Sequence, residues 1–315
     1  LLKLAITTGS LYLIYFKVVK RENFNDFKNF AFEKMNTTES ALLLGFVLVL
    51  MLVNWGIEAL KWHMLIQRLT PVRFLQSLRA IFTGATISFF TPNRVGDFAG
   101  RMIFLPTNVR ISSILPTFIG NMSQLIVTLC CGSIGGTVLF QYYFSCTLTE
   151  YRIVQFSAIF LVILLIYLFL HLNFIVKLRF IKRLKAHYFP LIEIVENYSA
   201  NDLGKIVTLS FIRYVVFAWQ YVLLFQLAAI PLSTVLLFGL VSIIFLVQAI
   251  VPSIAILEFA FRGSVALVVL QPFTNSVNAI IVASFSLWFI NLVMPAILGS
   301  LMIFYFRWKQ KMNTA

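Results

Sequence analysis

Thr91-Pro92-Asn93-Arg94-Val95-Gly96-Asp97-Phe98-Ala99-Gly100-Arg101 and Val251-Pro252-Ser253-Ile254-Ala255-Ile256-Leu257-Glu258-Phe259-Ala260-Phe261-Arg262 state one pattern twice. Each closes an apolar run with a proline, then places an acid followed by Phe-Ala, then an arginine four positions beyond the acid. Asp97 and Glu258 lie 161 positions apart in a chain of 315 residues, about half its length. At mid-membrane a carboxylate or guanidinium costs about 2.5–3.5 kcal/mol. Two acid–arginine pairs in apolar surroundings therefore ask for a reason, and their recurrence suggests internal duplication.

The surroundings are apolar throughout. Hydrophobic residues make up 60% of the chain and charged residues 11%, with a mean hydropathy of +0.93. Soluble domains run near 45–50% apolar and about 25% charged, so the composition excludes a soluble globule and implies an all-α integral membrane protein. The chain opens Leu1-Leu2-Lys3 without methionine, so the native start is expected upstream. Its first apolar stretch has no small-residue cleavage site and reads as a retained span. The formal charge is +14. The bases cluster beside apolar runs, which fits anionic lipid and not nucleic acid. Cys130, Cys131 and Cys146 give no disulfide framework, and His63, His171 and His187 have no ligand spacing, so no metal or cofactor is expected.

Stretches long enough to cross lie near 4–19, 41–62, 112–143, 152–172, 206–229 and 277–306. Two more, 76–106 and 233–271, contain the repeated motifs and read as pairs of half-helices. Residues 61–80 carry Lys61, Arg68, Arg73 and Arg79 without an acid; 173–187 carry Lys177, Arg179, Lys182, Arg183 and Lys185. These stretches and the tail bases Arg307, Lys309 and Lys311 belong in the cytoplasm, as do both termini. Loops 144–151 and 272–276 then lie outside. The trace closes only if 76–106 dips in from the cytoplasm and 233–271 from outside. The expected fold is thus about six spans plus two re-entrant helical hairpins in an inverted-topology repeat. It forms one polytopic domain over 1–315: a first half of about 1–143 with motif 84–106, and a second of about 152–306 with motif 248–271.

Irregular backbone at membrane depth survives where it lines a wet cavity or is buried in protein. Pro92, Gly96 and Pro252 mark the breaks, and Thr91 and Ser253 are candidate caps. A half-helix that starts in mid-membrane presents free amides to an anion, and arginine adds a fork matched to phosphate. Asp97 to Arg101 and Glu258 to Arg262 are i, i+4 neighbours, so each acid can hold its arginine. Arg94 has no such acid and is the freer contact. The candidate substrate-binding residues are Asn93, Arg94, Asp97, Arg101, Ser253, Glu258 and Arg262, with Arg94 and Arg262 on the headgroup. The plainer alternative is that the pairs tie hairpins to neighbouring helices. Arg213 reads as snorkelling to the interface; Asn121, Gln124, Gln220, Gln226, Gln248 and Asn291 read as interhelical partners, some of them open to a cavity. Residues 174–185 read as an amphipathic elbow on an anionic leaflet.

Gly84 to Leu105, with its Pro-x-x-x-Gly-acid-x-x-x-Arg element, and Pro252 to Arg262 resemble the membrane domain of lysylphosphatidylglycerol synthase/flippase proteins. The span order is similar over nearly the whole chain. The second element departs, with Ser253-Ile254-Ala255-Ile256 where the family often has glycines after the proline. The resemblance implies a flippase-like protein of the bacterial cytoplasmic (inner) membrane that moves an anionic phospholipid or a polyprenyl-phosphate-linked intermediate between leaflets. It also implies a possible glycosyltransferase partner. The soluble aminoacyl-transferase domain has no counterpart here, so no enzyme activity is carried over. Two other functions stay open: a non-transporting partner of a glycosyltransferase, and a membrane glycosyltransferase using a lipid-linked donor.

Overall fold

A computed structural model of the chain describes residues 12, 37–91, 95–145, 147–172, 195, 198–251 and 258–314. The expected span at 4–19, the elbow at 174–185, Cys146, and the motif residues Pro92, Asn93, Arg94, Pro252 and Ser253 lie outside the described residues. The described elements are helical. They are α1 (Thr38–Ile66), α2 (Phe74–Phe90), α3 (Gly96–Met102), α4 (Ile114–Tyr143), α5 (Leu148–Leu170) and α6 (Ala200–Leu227). There follow α7 (Thr234–Ile250), α8 (Glu258–Leu270), α9 (Val277–Trp288), a π turn (Phe289–Val293) and α10 (Met294–Thr314). Five stretches are long and apolar enough to cross a membrane: α1, Ile114–Phe140, α5, α6 and Val277–Tyr305. They correspond to five of the six expected spans, so the described residues form a multi-pass membrane protein.

Helix starts follow capping chemistry, which moves two of them earlier than hydropathy places them. Ser199 and Asp202 cap α6 reciprocally: Asp202 N–H donates to Ser199 Oγ (3.1 Å) and Ser199 N–H to Asp202 Oδ2 (3.1 Å). Thr147 and Glu150 do the same for α5. Such boxes satisfy amides that the first helical turn leaves open.

The starts of several helices fall at nearly constant offsets along the chain. Thr38 and Ala200 begin α1 and α6, 162 positions apart; Phe74 and Thr234 begin α2 and α7, 160 apart. Ile114 and Val277 begin α4 and α9, 163 apart. Packing exchanges the halves. α1 lies on α6, α4 on α7, and α10 on α2. In lipid the helices gain no hydrophobic drive from each other, so small residues that admit close approach decide these seams. A Cβ at Gly132 would sit 2.5 Å from Leu246 Cβ, and one at Gly135 2.7 Å from Ser242 Cβ. On the matching seam Gly299 seats α10 against the backbone of Phe82, and Thr86 Oγ1 donates to Ala296 O (2.8 Å).

α3 folds back along α2. A Cβ at Gly100 would meet Gly84 Cα at 2.6 Å, and one at Gly96 would meet Ile87 O at 2.6 Å. Rising residue numbers on α3 thus face falling ones on α2, which makes the pair antiparallel. Thr91 closes the turn as expected, its Oγ1 accepting from Gly96 N–H at 2.8 Å. The largest buried cluster joins α6 to α9, with Tyr221 stacked on Phe225 (4.3 Å between centroids) and Phe217 on Phe245 (4.9 Å). Two faces are tied by their ends. Tyr198 Oη donates to Leu65 O (2.9 Å), and Arg68 pairs with Asp202 (2.9 Å), on one face. At the other, Tyr142 and Tyr143 pack on Phe273, with centroids 5.4 and 5.9 Å away.

Gly100→Ala is expected to cost about 1–3 kcal/mol, because the new methyl meets backbone rather than a flexible side chain. Gly45, with nothing within 4 Å of its added Cβ, is the control. Thermal midpoints in detergent should fall for Gly100→Ala and hold or rise for Gly45→Ala; equal midpoints would refute the close α2–α3 seam.

Candidate functional site

The site is built around a carboxylate. Glu58 sits two turns before the end of α1, its side chain 3% exposed, and Lys61 one turn on is 1% exposed. Lys61 Nζ lies 2.8 Å from Glu58 Oε2. From α3, Arg101 Nη2 reaches Glu58 Oε1 at 3.1 Å. From α6, Arg213 Nη1 lies 3.4 Å from Glu58 Oε2 and donates to Gln124 Oε1 on α4 at 3.1 Å. Arg213 also stands over the Trp55 ring, 5.9 Å from its centroid. Four helices from both halves therefore converge on one buried polar cluster.

Asp97 and Arg101 make the expected i, i+4 pair. Arg101 Nε donates to Asp97 Oδ1 (2.8 Å) and Nη2 to Oδ2 (2.7 Å), so the carboxylate grips one edge of the fork. Both residues line a cavity of about 380 Å³ together with Glu58, Gln124, Thr128 and Arg213. Gln124 and Thr128 lie close to the middle of α4, so the cavity sits half-way across its span. Among the described residues the cluster holds Lys61, Arg101 and Arg213 against Glu58 and Asp97, which leaves one positive charge. Arg101 is 4% exposed, and its Nη1 is buried without a hydrogen-bond partner. An unmet donor on a buried cation at a cavity wall is suited to an anion.

The second pair also forms. Arg262 Nη2 and Nε both donate to Glu258 Oε1, at 2.6 and 3.0 Å, with the guanidinium 5.7 Å from the Phe217 ring centroid. Both residues are buried on α8. They are not among the described residues lining the 380 Å³ cavity, whereas the duplicated motif suggests one shared cavity for both pairs. On α6, Gln220 falls 162 positions after Glu58, the same offset as the starts of α1 and α6. It is neutral and donates to Val47 O (2.9 Å), so the second half has no central carboxylate at that position to gather cations.

Gly96, expected as a break residue, opens α3 and is buried. From the sequence alone Glu58 stays unnoticed inside the apolar run 41–62, and Lys61 reads as the first base of a cytoplasmic stretch. The structure instead buries Lys61. Arg213, which reads as an interfacial snorkel, turns to Glu58 because a buried carboxylate outbids the longer route to water. The available signal was an acid in an apolar run with a base three positions on, the i, i+3 spacing of a self-paired helix. Among the described residues no group of three or more His, Cys, Asp or Glu is placed to hold a metal.

A family model described as the lysylphosphatidylglycerol synthase TM region matches residues 1–293. The chain belongs to the lysylphosphatidylglycerol synthase TM family. No curated protein and no solved structure matches the chain. The charged cluster around Glu58 thus lies in a membrane domain of this family, on helices within the matched residues.

Glu58→Gln removes the one group that Lys61, Arg101 and Arg213 share. Breaking a buried pair costs about 3–5 kcal/mol, so the thermal midpoint in detergent should drop sharply. The double change Glu58→Gln/Lys61→Met should recover part of the loss. An unchanged midpoint for Glu58→Gln would show that the cluster does not hold α1, α3 and α6 together.

Proposed function

We propose that the protein is a flippase-like translocator of the bacterial cytoplasmic membrane, moving the anionic headgroup of a phospholipid or polyprenyl-phosphate-linked lipid between leaflets. The observation that carries this reading is the buried charged cluster on a cavity half-way across α4, with Arg101 Nη1 left without a hydrogen-bond partner. Ionisable side chains at that depth mark substrate pathways more often than they serve packing. Arg101, with its unmet Nη1, and Arg94 meet the headgroup; Asp97 orients Arg101, and Glu258 orients Arg262 on the second hairpin.

In this reading α2–α3 is a re-entrant hairpin from the cytoplasm and α7–α8 its inverted counterpart from outside. The 17 residues of α2 and of α7 reach about 25 Å at a 1.5 Å rise, short of the hydrocarbon core of about 30 Å. The antiparallel α2–α3 pair, the near-constant 160–163 offsets of the helix starts and the two tied faces support the arrangement. Both termini are then cytoplasmic. The protein acts on lipid without an enzymatic step, a cofactor or a metal, and a glycosyltransferase is a possible neighbour.

Liposomes holding the purified protein and fluorescent phospholipids or polyprenyl phosphates test this. Arg101→Gln and Arg262→Gln should each cut transport by roughly tenfold or more, as loss of a hydrogen bond to a charged group implies, with Glu258→Gln milder than Arg262→Gln. If the single changes unfold the protein and a neutral double at 258 and 262 restores both stability and transport, Arg262 is a structural tie. No movement of any lipid by the unmodified protein, with a glycosyltransferase that co-purifies, would favour the partner role instead.

The topology has its own check. Single cysteines at 67–73, 173–205 and 307–315 in a cysteine-free background should react with an impermeant reagent only from the cytoplasm, and those at 144–151 and 272–276 only from outside. Labelling of 173–205 from outside would overturn the inverted arrangement.

A further inference from the structure

Lys61 is a buried ionisable group that the translocator reading leaves without a task. Its side chain is 1% exposed, and Nζ lies 2.8 Å from Glu58 Oε2. Arg213 Nη1 lies 3.4 Å from that same oxygen, so two cations share one atom. Arg101 takes the other oxygen, Oε1, and has Asp97 as well. α4 presents Gly120 to the lysine stem, where an added Cβ would sit 3.6 Å from Cε. α2 meets α1 at Ser77 with His63 and at Phe82 with Trp55. Among the described residues the charges acting on Lys61 are therefore Glu58 on its own helix, Arg213 on α6 and Arg101 on α3.

The three cations differ in one chemical respect. A guanidinium keeps its proton in proteins, whereas a buried amine can release it. An ammonium has three donors, and among the described residues Glu58 is its one acceptor within ion-pair distance. With Lys61 as the free amine, Glu58 balances Arg213 and Asp97 balances Arg101. With Lys61 protonated, the same residues carry one positive charge, which an anion at the unmet Arg101 Nη1 cancels. Proton and anion are then linked, each raising the site's affinity for the other.

Helical order sets Lys61 between two polar spaces. Glu58, one turn before it, lines the cavity of about 380 Å³. Met64 and Leu65, one turn after it, line a cavity of about 370 Å³ with Arg68, Asp202 and Lys205. The amine thus stands one turn of α1 from each.

We propose that Lys61 takes up a proton with each monoanionic headgroup, so that the two cross together without net charge. The proposal rests on the translocator reading and adds its coupling ion. The ε-amine gains the proton from the side on which the anion enters and returns it on the side to which the anion leaves; no other bond changes.

The test uses sealed phosphatidylcholine vesicles holding the intact protein and a trace of fluorescent phosphatidylglycerol, with protein-free vesicles as the blank. A pH gradient is imposed at zero potential, and separately a potassium-diffusion potential at equal pH. The probe should gather in the leaflet facing the alkaline side, by up to roughly tenfold per pH unit, and should ignore the potential. Movement that follows the potential and not the pH gradient defeats the coupling and leaves the translocator reading standing. No movement under either condition defeats both. Binding is read apart from movement, as the rise in thermal midpoint that phosphatidylglycerol produces in detergent. That rise should shrink with increasing pH in the unmodified protein, because the proton that favours the anion is lost. In Lys61→Arg, whose charge is fixed, it should stay constant with pH; Lys61→Met, which leaves two balanced pairs, serves if the arginine does not fold. A rise that shrinks equally in either folded variant overturns the assignment to Lys61.

Discussion

One carboxylate organises the buried charges at the centre of the described residues. Glu58 sits beyond the reach of water, with cations from its own helix, from the first motif helix and from the opening span of the second half all within 3.4 Å. A buried charge is tolerable only when paired and hydrogen-bonded. α1 and α3 each carry part of the pairing themselves, in Lys61 and Asp97, and Arg213 meets Glu58 only when α6 arrives beside α1. The Asp97 grip on Arg101 and the contact of Gln124 with Arg213 complete the arrangement. Close seams at Gly100, Gly132 and Gly299 bring the helices near enough for it to form.

The two halves share a plan and differ in charge. Helix starts repeat at offsets of 160–163, each half carries an acid–arginine pair at the head of its short helix, and α4 and α10 exchange partners across the halves. Yet the position equivalent to Glu58 is Gln220, whose amide meets a backbone carbonyl instead of a cation. Where Glu58 meets Lys61, Arg101 and Arg213, Glu258 holds Arg262 against Phe217.

α5 packs on α4 and touches α6 only lightly. Only 6% of its most apolar stretch is buried inside the protein, and its inward face carries small residues where tight packing would favour large ones.

Much of this was legible in the chain itself. Apolar runs of sufficient length fix spanning helices because backbone groups in lipid must be satisfied within the segment, and the i, i+4 spacing of Asp97 with Arg101 and of Glu258 with Arg262 fixes local pairing for any helix. The prolines and the recurrence of the motif are likewise plain in the sequence. The identity of the site's centre was not legible: Glu58 and Arg213 are 155 positions apart, and neither looks different from an interfacial charge until α1 lies on α6. Lys61 shows the same limit, since a base at the end of an apolar run reads as a topological signal when no partner is in view. Local periodicity determined which segments are helices and which residues pair along them. Only the tertiary packing decided which charges are buried together, because that depends on close helix seams between residues far apart in the chain.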